Sequence, residues 1–201
     1  MIASIVRASV FTILAFGLSV FFIYHEQIIN KEITDINLKR NVFILFLVFV
    51  TMGVYNFWLF GFTVDFIFLL ALETYLVSIV PEDVKERKIS NFTTIAFIII
   101  FTVLKALTLD VYQLIDSFAG WTTGFVSLGI PYMIKKEMVG FGDVLAVACC
   151  GIMLGCVGIV QFLIRAFAFI VIFSIIQLIR KKVKMNSEMP FAPFLLMAAL
   201  F

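Results

Sequence analysis

Two aspartates stand at similar positions relative to the apolar runs of the sequence, and together they could perform acid–base chemistry. Asp83 opens the polar connector that ends at Asn91, directly after one apolar run, and Asp143 closes Gly140-Phe-Gly-Asp143 at the start of another. Two carboxyl groups brought together can share one proton, because like charges at short range cannot both ionise. One then acts as a base on a water and the other as an acid, which is the requirement of an aspartic protease.

Both aspartates also fit a structural role. Asp is a favourable N-cap residue, and each of the two precedes an apolar run. The spacing from Asp83 to Glu86 imitates a capping box. Gly140 and Gly142 would let the backbone come close to a neighbouring helix or to an extended substrate. Because G-x-G-D is a weak motif on its own, position alone leaves capping and catalysis both open.

The elements that must position these residues are membrane helices. Of the 201 residues, 63% are apolar and 14% are charged, whereas soluble domains contain about 45–50% apolar residues. Seven apolar runs are long enough to cross a bilayer, and only helices satisfy the backbone there. They lie at 8–24, 42–60, 62–80, 92–109, 114–134, 144–160 and 162–179, with a short apolar piece at 190–201.

This pattern predicts an all-α, polytopic transmembrane helical bundle of about seven spans plus a short C-terminal apolar segment. A soluble fold could not cover so much apolar surface with so few charges. The composition therefore excludes a soluble enzyme, a secreted disulfide scaffold, a disordered tail and a nucleic-acid-binding protein. The lipid bilayer is the expected environment.

Basic residues are concentrated in four connectors between the runs, at 25–40, 81–90, 135–142 and 180–189. These connectors hold twelve of the fifteen Lys and Arg residues, and two runs separate each connector from the next. All four should therefore lie on one side of the membrane, which the positive-inside rule identifies as the cytoplasm. The N-terminus is then outside, and both aspartates lie near the cytoplasmic ends of their helices.

Residues that commonly bind metals or form disulfides show no pattern. Cys149, Cys150 and Cys156 share one apolar stretch without C-x-x-C spacing, and His25 is the only histidine. Neither a metal site nor a disulfide framework is predicted, and no cofactor is expected. Glu73 lies nearer mid-membrane, and the sequence identifies no partner for it, so it is left outside the site.

Three stretches resemble, in order, motifs of the type IV prepilin peptidases. Residues 83–91, Asp-Val-Lys-Glu-Arg-Lys-Ile-Ser-Asn, are similar to the family's D-x-x-x-R-x-I-P-N segment. Residues 140–155 resemble its G-x-G-D-V helix, including the later Gly and Leu-Gly. Pro190-Phe-Ala-Pro-Phe194 resembles a P-F-G-P-F segment near the family's C-terminus. The resemblance covers about residues 75–201, and the P-A-L motif of the presenilin-like G-x-G-D proteases is missing.

The resemblance implies that Asp83 and Asp143 are the catalytic pair of an intramembrane aspartic endopeptidase, with Gly140 and Gly142 as supporting motif residues. Such an enzyme cuts the leader peptide from prepilin-like, membrane-anchored precursors at the cytoplasmic face of a prokaryotic cell membrane. Residues 1–80 would then form N-terminal transmembrane helices, and residues 81–201 would form a peptidase-like core. The zinc-binding domain that many members carry in the first connector is absent, so we expect trimming without N-methylation. The oligomeric state is left open.

Two departures from the family pattern lie beside the aspartates. Ser90 replaces the usual proline, which removes a residue that stiffens turns. Leu145 stands where a lysine usually follows G-D-V, which could change contacts with substrate or lipid.

The alternative class is a small membrane transporter or scaffold. In it, Asp65, Glu73 and the two motif aspartates would form a cation path. Transporters often contain inverted repeats and broken helices at mid-membrane, and the sequence shows no such repeat.

Overall fold

The computed structural model describes residues 2–29, 36–108, 110–135, 139–180 and 189–200. Within these ranges the chain forms seven helices and no strands. The helices are α1 (Ile2–Ile29), α2 (Ile36–Phe60), α3 (Val64–Glu86), α4 (Asn91–Thr108), α5 (Val111–Ile134), α6 (Phe141–Ile179) and α7 (Ala192–Ala199). Parts of three predicted connectors, at 30–35, 136–138 and 181–188, lie outside the described residues.

The prediction of an all-α chain of apolar helices is confirmed. The first five predicted runs correspond to α1–α5, and the C-terminal piece contains α7. The runs 144–160 and 162–179 differ from the prediction, because both fall within α6, which is broken at Gly155 instead of ending in a loop. Gly155 has φ of 72° and ψ of −179°. The break lies at the start of the Gly155–Gly158 stretch, where the sequence predicts the turn between the two runs, and helix resumes at the next residue.

Four of the described helices, α1, α3, α4 and α6, are long and apolar enough to cross a membrane. A shorter apolar helical stretch, Ile44–Phe60, lies in α2. These helices make the chain a multi-pass membrane protein, because apolar helices of this length match the hydrocarbon thickness of a bilayer. Crossings by the predicted runs 42–60 and 114–134 stay predictions.

The C-terminal end of α3 differs from the prediction. The helix continues through Pro81 to Glu86, which reduces the predicted connector 81–90 to its last four residues. A proline removes one backbone donor but does not by itself end a helix. The end comes instead at Arg87, whose φ of 55° is left-handed. Asp83 therefore lies on the last turns of a helix and not in a connector.

The chain divides into two compact units, Met1–Pro81 and Glu82–Phe201. The first unit contains a buried polar pair that the sequence did not identify. Glu73 on α3 is only 2% exposed, and its Oε1 accepts a hydrogen bond from Nδ2 of Asn56 on α2. Among the described atoms of the unit, Oε2 of Glu73 has no hydrogen-bond partner. This bond ties α2 to α3 inside the first unit.

In the second unit, α5 and α6 meet along a seam of glycines. Gly120 on α5 faces Gly151 and Gly155 on α6, and Gly124 faces Val147 and Ala148. Gly120 with Gly124, and Gly151 with Gly155, have the small-xxx-small spacing that lets membrane helices approach closely. A Cβ at Gly120 would collide with the backbone of Gly151 and Gly155. A Cβ at Gly124 would lie 2.7 Å from the carbonyl oxygen of Val147. The two backbones are therefore in direct contact.

The break at Gly155 is stabilised from the neighbouring helix. The backbone N–H of Cys156 donates to Oδ1 of Asp116 on α5, at 3.1 Å. Because the first amides of a helix lack partners within it, this carboxylate caps the arm of α6 that starts after the break. A side chain at position 155 would collide with that carboxyl and would be strained at this φ.

Gly120→Ala tests the seam. The added methyl group meets backbone atoms that cannot rotate away, so we expect a loss of about 1–3 kcal/mol in stability. Gly129→Ala is the matched control on the same helix, because its Cβ would meet side-chain atoms of Phe125 and Val144 at 3.7–3.8 Å. Thermal unfolding of the two purified proteins in one detergent gives the comparison. Equal midpoints would contradict the backbone contact.

Candidate active site

Asp83 is a buried acid at the end of α3. Its residue exposure is 3%, and its Oδ2 accepts a hydrogen bond of 2.6 Å from the backbone N–H of Ala192. The backbone of Phe191 also bonds to this carboxyl. A buried carboxyl needs such donors because they replace the hydrogen bonds that it would make with water. Residues 109 positions apart are thereby joined at the N-terminal end of α7.

The short loop after Asp83 is held by Ser90. The Ser90 backbone N–H donates to Oε2 of Glu82 at 3.1 Å, and its hydroxyl accepts from the N–H of Thr93 at 3.4 Å, which caps α4. A proline at this position would have neither group. The departure at Ser90 therefore replaces the stiffness of a proline ring with two hydrogen bonds.

Asp143 lies in the first turn of α6. Its Oδ2 accepts the backbone N–H of Gly140 at 3.2 Å, which is the interaction expected of an acid at the third position of a helix. Asp143 is half-buried, whereas Gly140 and Phe141 are exposed. The capping interpretation thus describes one bond of Asp143, and it leaves part of this carboxyl accessible.

A close backbone approach brings the segments of the two aspartates together. A Cβ on Gly142 would lie 2.8 Å from the carbonyl oxygen of Ile89, so α6 begins in contact with the loop that follows Asp83. The charge of Asp83 acts on the Asp143 carboxyl. Gly140 lies beside the same carboxyl, since its Cβ would be 3.1 Å from Oδ2 of Asp143. The two segments that carry the four residues singled out in the sequence therefore come together.

The interpretation of Asp83 as the cap of α4 is wrong, but its carboxyl does cap a different helix, α7. Asp83 is separated from the start of α4, where Ser90 is the cap. Its carboxyl instead bonds to the first amides of α7, which is a helix distant in sequence. The resemblance marked the segment around Ala192 without giving it a role. Sequence reasoning missed these donors because almost every residue has a backbone amide, so residue type does not show which amides bind a carboxyl.

Aromatic contacts fix α7 against the long helix. The rings of Phe173 and Phe194 lie 5.4 Å apart, and those of Phe167 and Phe191 lie 6.3 Å apart. Offset and edge-on ring pairs of this kind stabilise packing beyond the area they bury. The amides that reach Asp83 are therefore carried by a segment anchored on α6.

The described ranges contain no group of three or more His, Cys, Asp or Glu side chains that could hold a metal ion. Leu145, where the family usually has lysine, is half-buried in the first turns of α6.

Comparison with known proteins identifies the chain's family. The profile of the type IV leader peptidase family matches residues 67–175, which is just over half of the chain and includes both aspartates. None of the curated proteins and none of the solved structures gives a significant match. The chain belongs to the type IV leader peptidase family and is a peptidase of the membrane.

Gly142→Ala tests the backbone approach. The new methyl group would meet the Ile89 carbonyl, so α6 and the loop after Asp83 must separate by several tenths of an ångström or more. Because small displacements of reacting groups are costly, we expect peptidase activity to fall about tenfold to a hundredfold. Gly17→Ala on α1, whose Cβ would meet nothing within 4 Å, should retain wild-type activity. Full activity of Gly142→Ala in membranes at matched protein levels would show that the contact does not position the site.

Proposed function

We propose that the protein is an intramembrane aspartic endopeptidase that removes the leader peptide of type IV prepilin-like precursors at the cytoplasmic face of a prokaryotic cell membrane. Membership of the leader peptidase family supports the peptidase activity. The aspartic mechanism is supported by one observation above all. The segments of Asp83 and Asp143, which lie far apart in sequence, come into backbone contact at the start of α6, and the charge of Asp83 acts on the Asp143 carboxyl.

Two carboxyls in this arrangement can activate a water for attack on a peptide carbonyl. One must be ionised to take a proton from the water, and the other must be protonated to donate to the carbonyl oxygen. Their mutual repulsion favours such a singly protonated pair. The chemistry uses side chains of this chain, and we propose no cofactor.

The exposure pattern supports a membrane-anchored substrate with an extended cytoplasmic leader. Asp83 is enclosed, whereas Gly140 and Phe141 are exposed and Asp143 is half-buried. An extended segment can therefore reach the pair from the Gly140 side. The exposed basic residues Lys85 and Lys88 support a cytoplasmic position for this end of α3.

We assign trimming to the protein and not methylation of the trimmed product. The first connector lacks the C-x-x-C pairs that accompany the second activity in the resembling family. The processed pilin-like product should therefore carry a free N-terminal amine.

Asp83→Asn and Asp143→Asn test the catalytic pair. Asn is nearly isosteric with Asp and still accepts the backbone hydrogen bonds, so folding should be largely preserved. The Asn side chain cannot accept or donate the proton that the reaction requires, so we expect the cleavage rate of each variant to fall at least about a hundredfold. Asp65→Asn is the control, because Asp65 is an exposed acid on the same helix as Asp83. The measurement is cleavage of a co-expressed, tagged prepilin-like substrate, with mass spectrometry of the product's N-terminus.

Normal cleavage by either Asn variant, at membrane levels equal to wild type, would remove that aspartate from the active site. A product methylated only when this protein is present, in a host lacking other methyltransferases, would contradict the trimming-only assignment. Failure of the wild-type protein to cut any prepilin-like substrate would contradict the proposed function as a whole.

A further inference from the structure

The two carboxyls of the site have different hydrogen-bond environments. Asp83 is enclosed and bonded to the α7 amides, meaning the backbone N–H groups of Phe191 and Ala192. Its bond from Ala192 is 2.6 Å long. Asp143 is half-buried and accepts one longer bond, 3.2 Å from Gly140. The donors around the two acids are therefore unequal in number and in distance.

Burial disfavours the ionised form of both acids, so the unequal donors decide which of the two ionises more readily. Backbone N–H groups stabilise the ionised form of a carboxyl, and short charge-assisted bonds do so most strongly. The positive end of the α7 dipole acts in the same direction on Asp83. Asp143 also lies at a helix start, but its single bond is weaker and the charge of Asp83 acts on it. Only one of two adjacent carboxyls ionises readily.

We propose that Asp83 is the general base and Asp143 the general acid, and that the α7 amides are the positioning groups that hold Asp83 ionised. The assignment rests on the proposed function, since it divides the roles within the same pair. It adds the C-terminal segment Pro190–Phe194 to the catalytic apparatus through its backbone.

The proton balance then follows. The water oxygen forms a bond to the scissile carbonyl carbon as one water proton passes to Asp83 and the Asp143 proton passes to the carbonyl oxygen. A neutral gem-diol results, with Asp83 protonated and Asp143 ionised. When the C–N bond breaks, Asp83 gives its proton to the leaving nitrogen. Asp143 regains a proton from a diol hydroxyl, so the starting state is restored.

Within the ranges that the structure describes, few other titratable groups lie near Asp83. α7 carries none, and α4 has none in its first half. From α6 the titratable group near Asp83 is Asp143. On the helix of Asp83 itself, Glu82 accepts the Ser90 N–H, and the remaining charged residues of the segment are exposed: Lys85, Glu86, Arg87 and Lys88. Among the described groups, a shift in the pH dependence caused by the α7 amides is therefore assigned to the pair.

Removal of the Ala192 N–H tests the assignment. Ala192→Pro deletes the donor at the first position of α7, where proline fits a helix. If that variant does not accumulate, replacement of Ala192 by lactic acid through nonsense suppression exchanges the N–H for an ester oxygen with little change of shape. Ala192→Gly keeps the N–H and serves as the conservative variant. Cleavage of a purified prepilin-like substrate by the full-length protein is measured against pH.

The base assignment predicts that loss of the N–H moves the acidic limb of the kcat profile to higher pH by about one unit or more, because ionised Asp83 loses a donor. The basic limb and KM should stay as in wild type. Ala192→Gly, which keeps the N–H, should leave both limbs at their wild-type pH whatever its rate. Movement of the basic limb alone would make Asp83 the acid and overturn the assignment. A lower kcat with both limbs at their wild-type pH would show that the α7 contact is only structural, and it would overturn the assignment. Absence of cleavage by the wild type would overturn the proposed function and this inference with it.

Discussion

The buried carboxyl of Asp83 imposes the main constraint on the second unit. An acid that is 3% exposed must find donors inside the protein, because its desolvation would otherwise be uncompensated. The donors come from the backbone at the N-terminal end of α7, more than a hundred residues further along the chain. The helices between Asp83 and α7 must therefore bring the N-terminal end of α7 back to the end of α3. This return is made by α4, α5 and α6, and it places the start of α6 beside the same acid.

Glycine positions determine how closely these helices can return. Gly142 lets the start of α6 touch the Ile89 carbonyl, and the seam of Gly120 and Gly151 lets α5 lie directly against α6. In a bilayer the hydrophobic effect does not drive helices together, because lipid tails are as apolar as the side chains. Close backbone contact along small residues is therefore a principal source of stability for helix association. The separation of the two carboxyls thus depends on contacts in which no side chain takes part. This explains why the site is built mainly of backbone and glycine around two acids.

The sequence predicted the helices well because apolar runs in a membrane protein have few alternatives to helix. It also selected Asp83, Asp143, Gly140 and Gly142, which the fold brings together. The sequence did not predict the features that depend on backbone conformation and on packing between helices. The end of α3 is set by the left-handed φ of Arg87 and not by the charges before it. The turn predicted near Gly155–Gly158 is present, but as a break inside one helix that is capped from α5. The donors to Asp83 are amides, and the Asn56 partner of Glu73 needs the packing of two helices.

We propose that Asp83 and Asp143 act as one catalytic unit. The most direct test compares the single-turnover cleavage rate of the double variant Asp83→Asn/Asp143→Asn with the rates of the two single variants, at equal protein levels in the same membranes. Residues that act together are strongly non-additive. We expect the double variant to cleave no more slowly than either single variant. A double variant whose loss is the product of the two single losses would show two independent contributions, and it would contradict the catalytic pair.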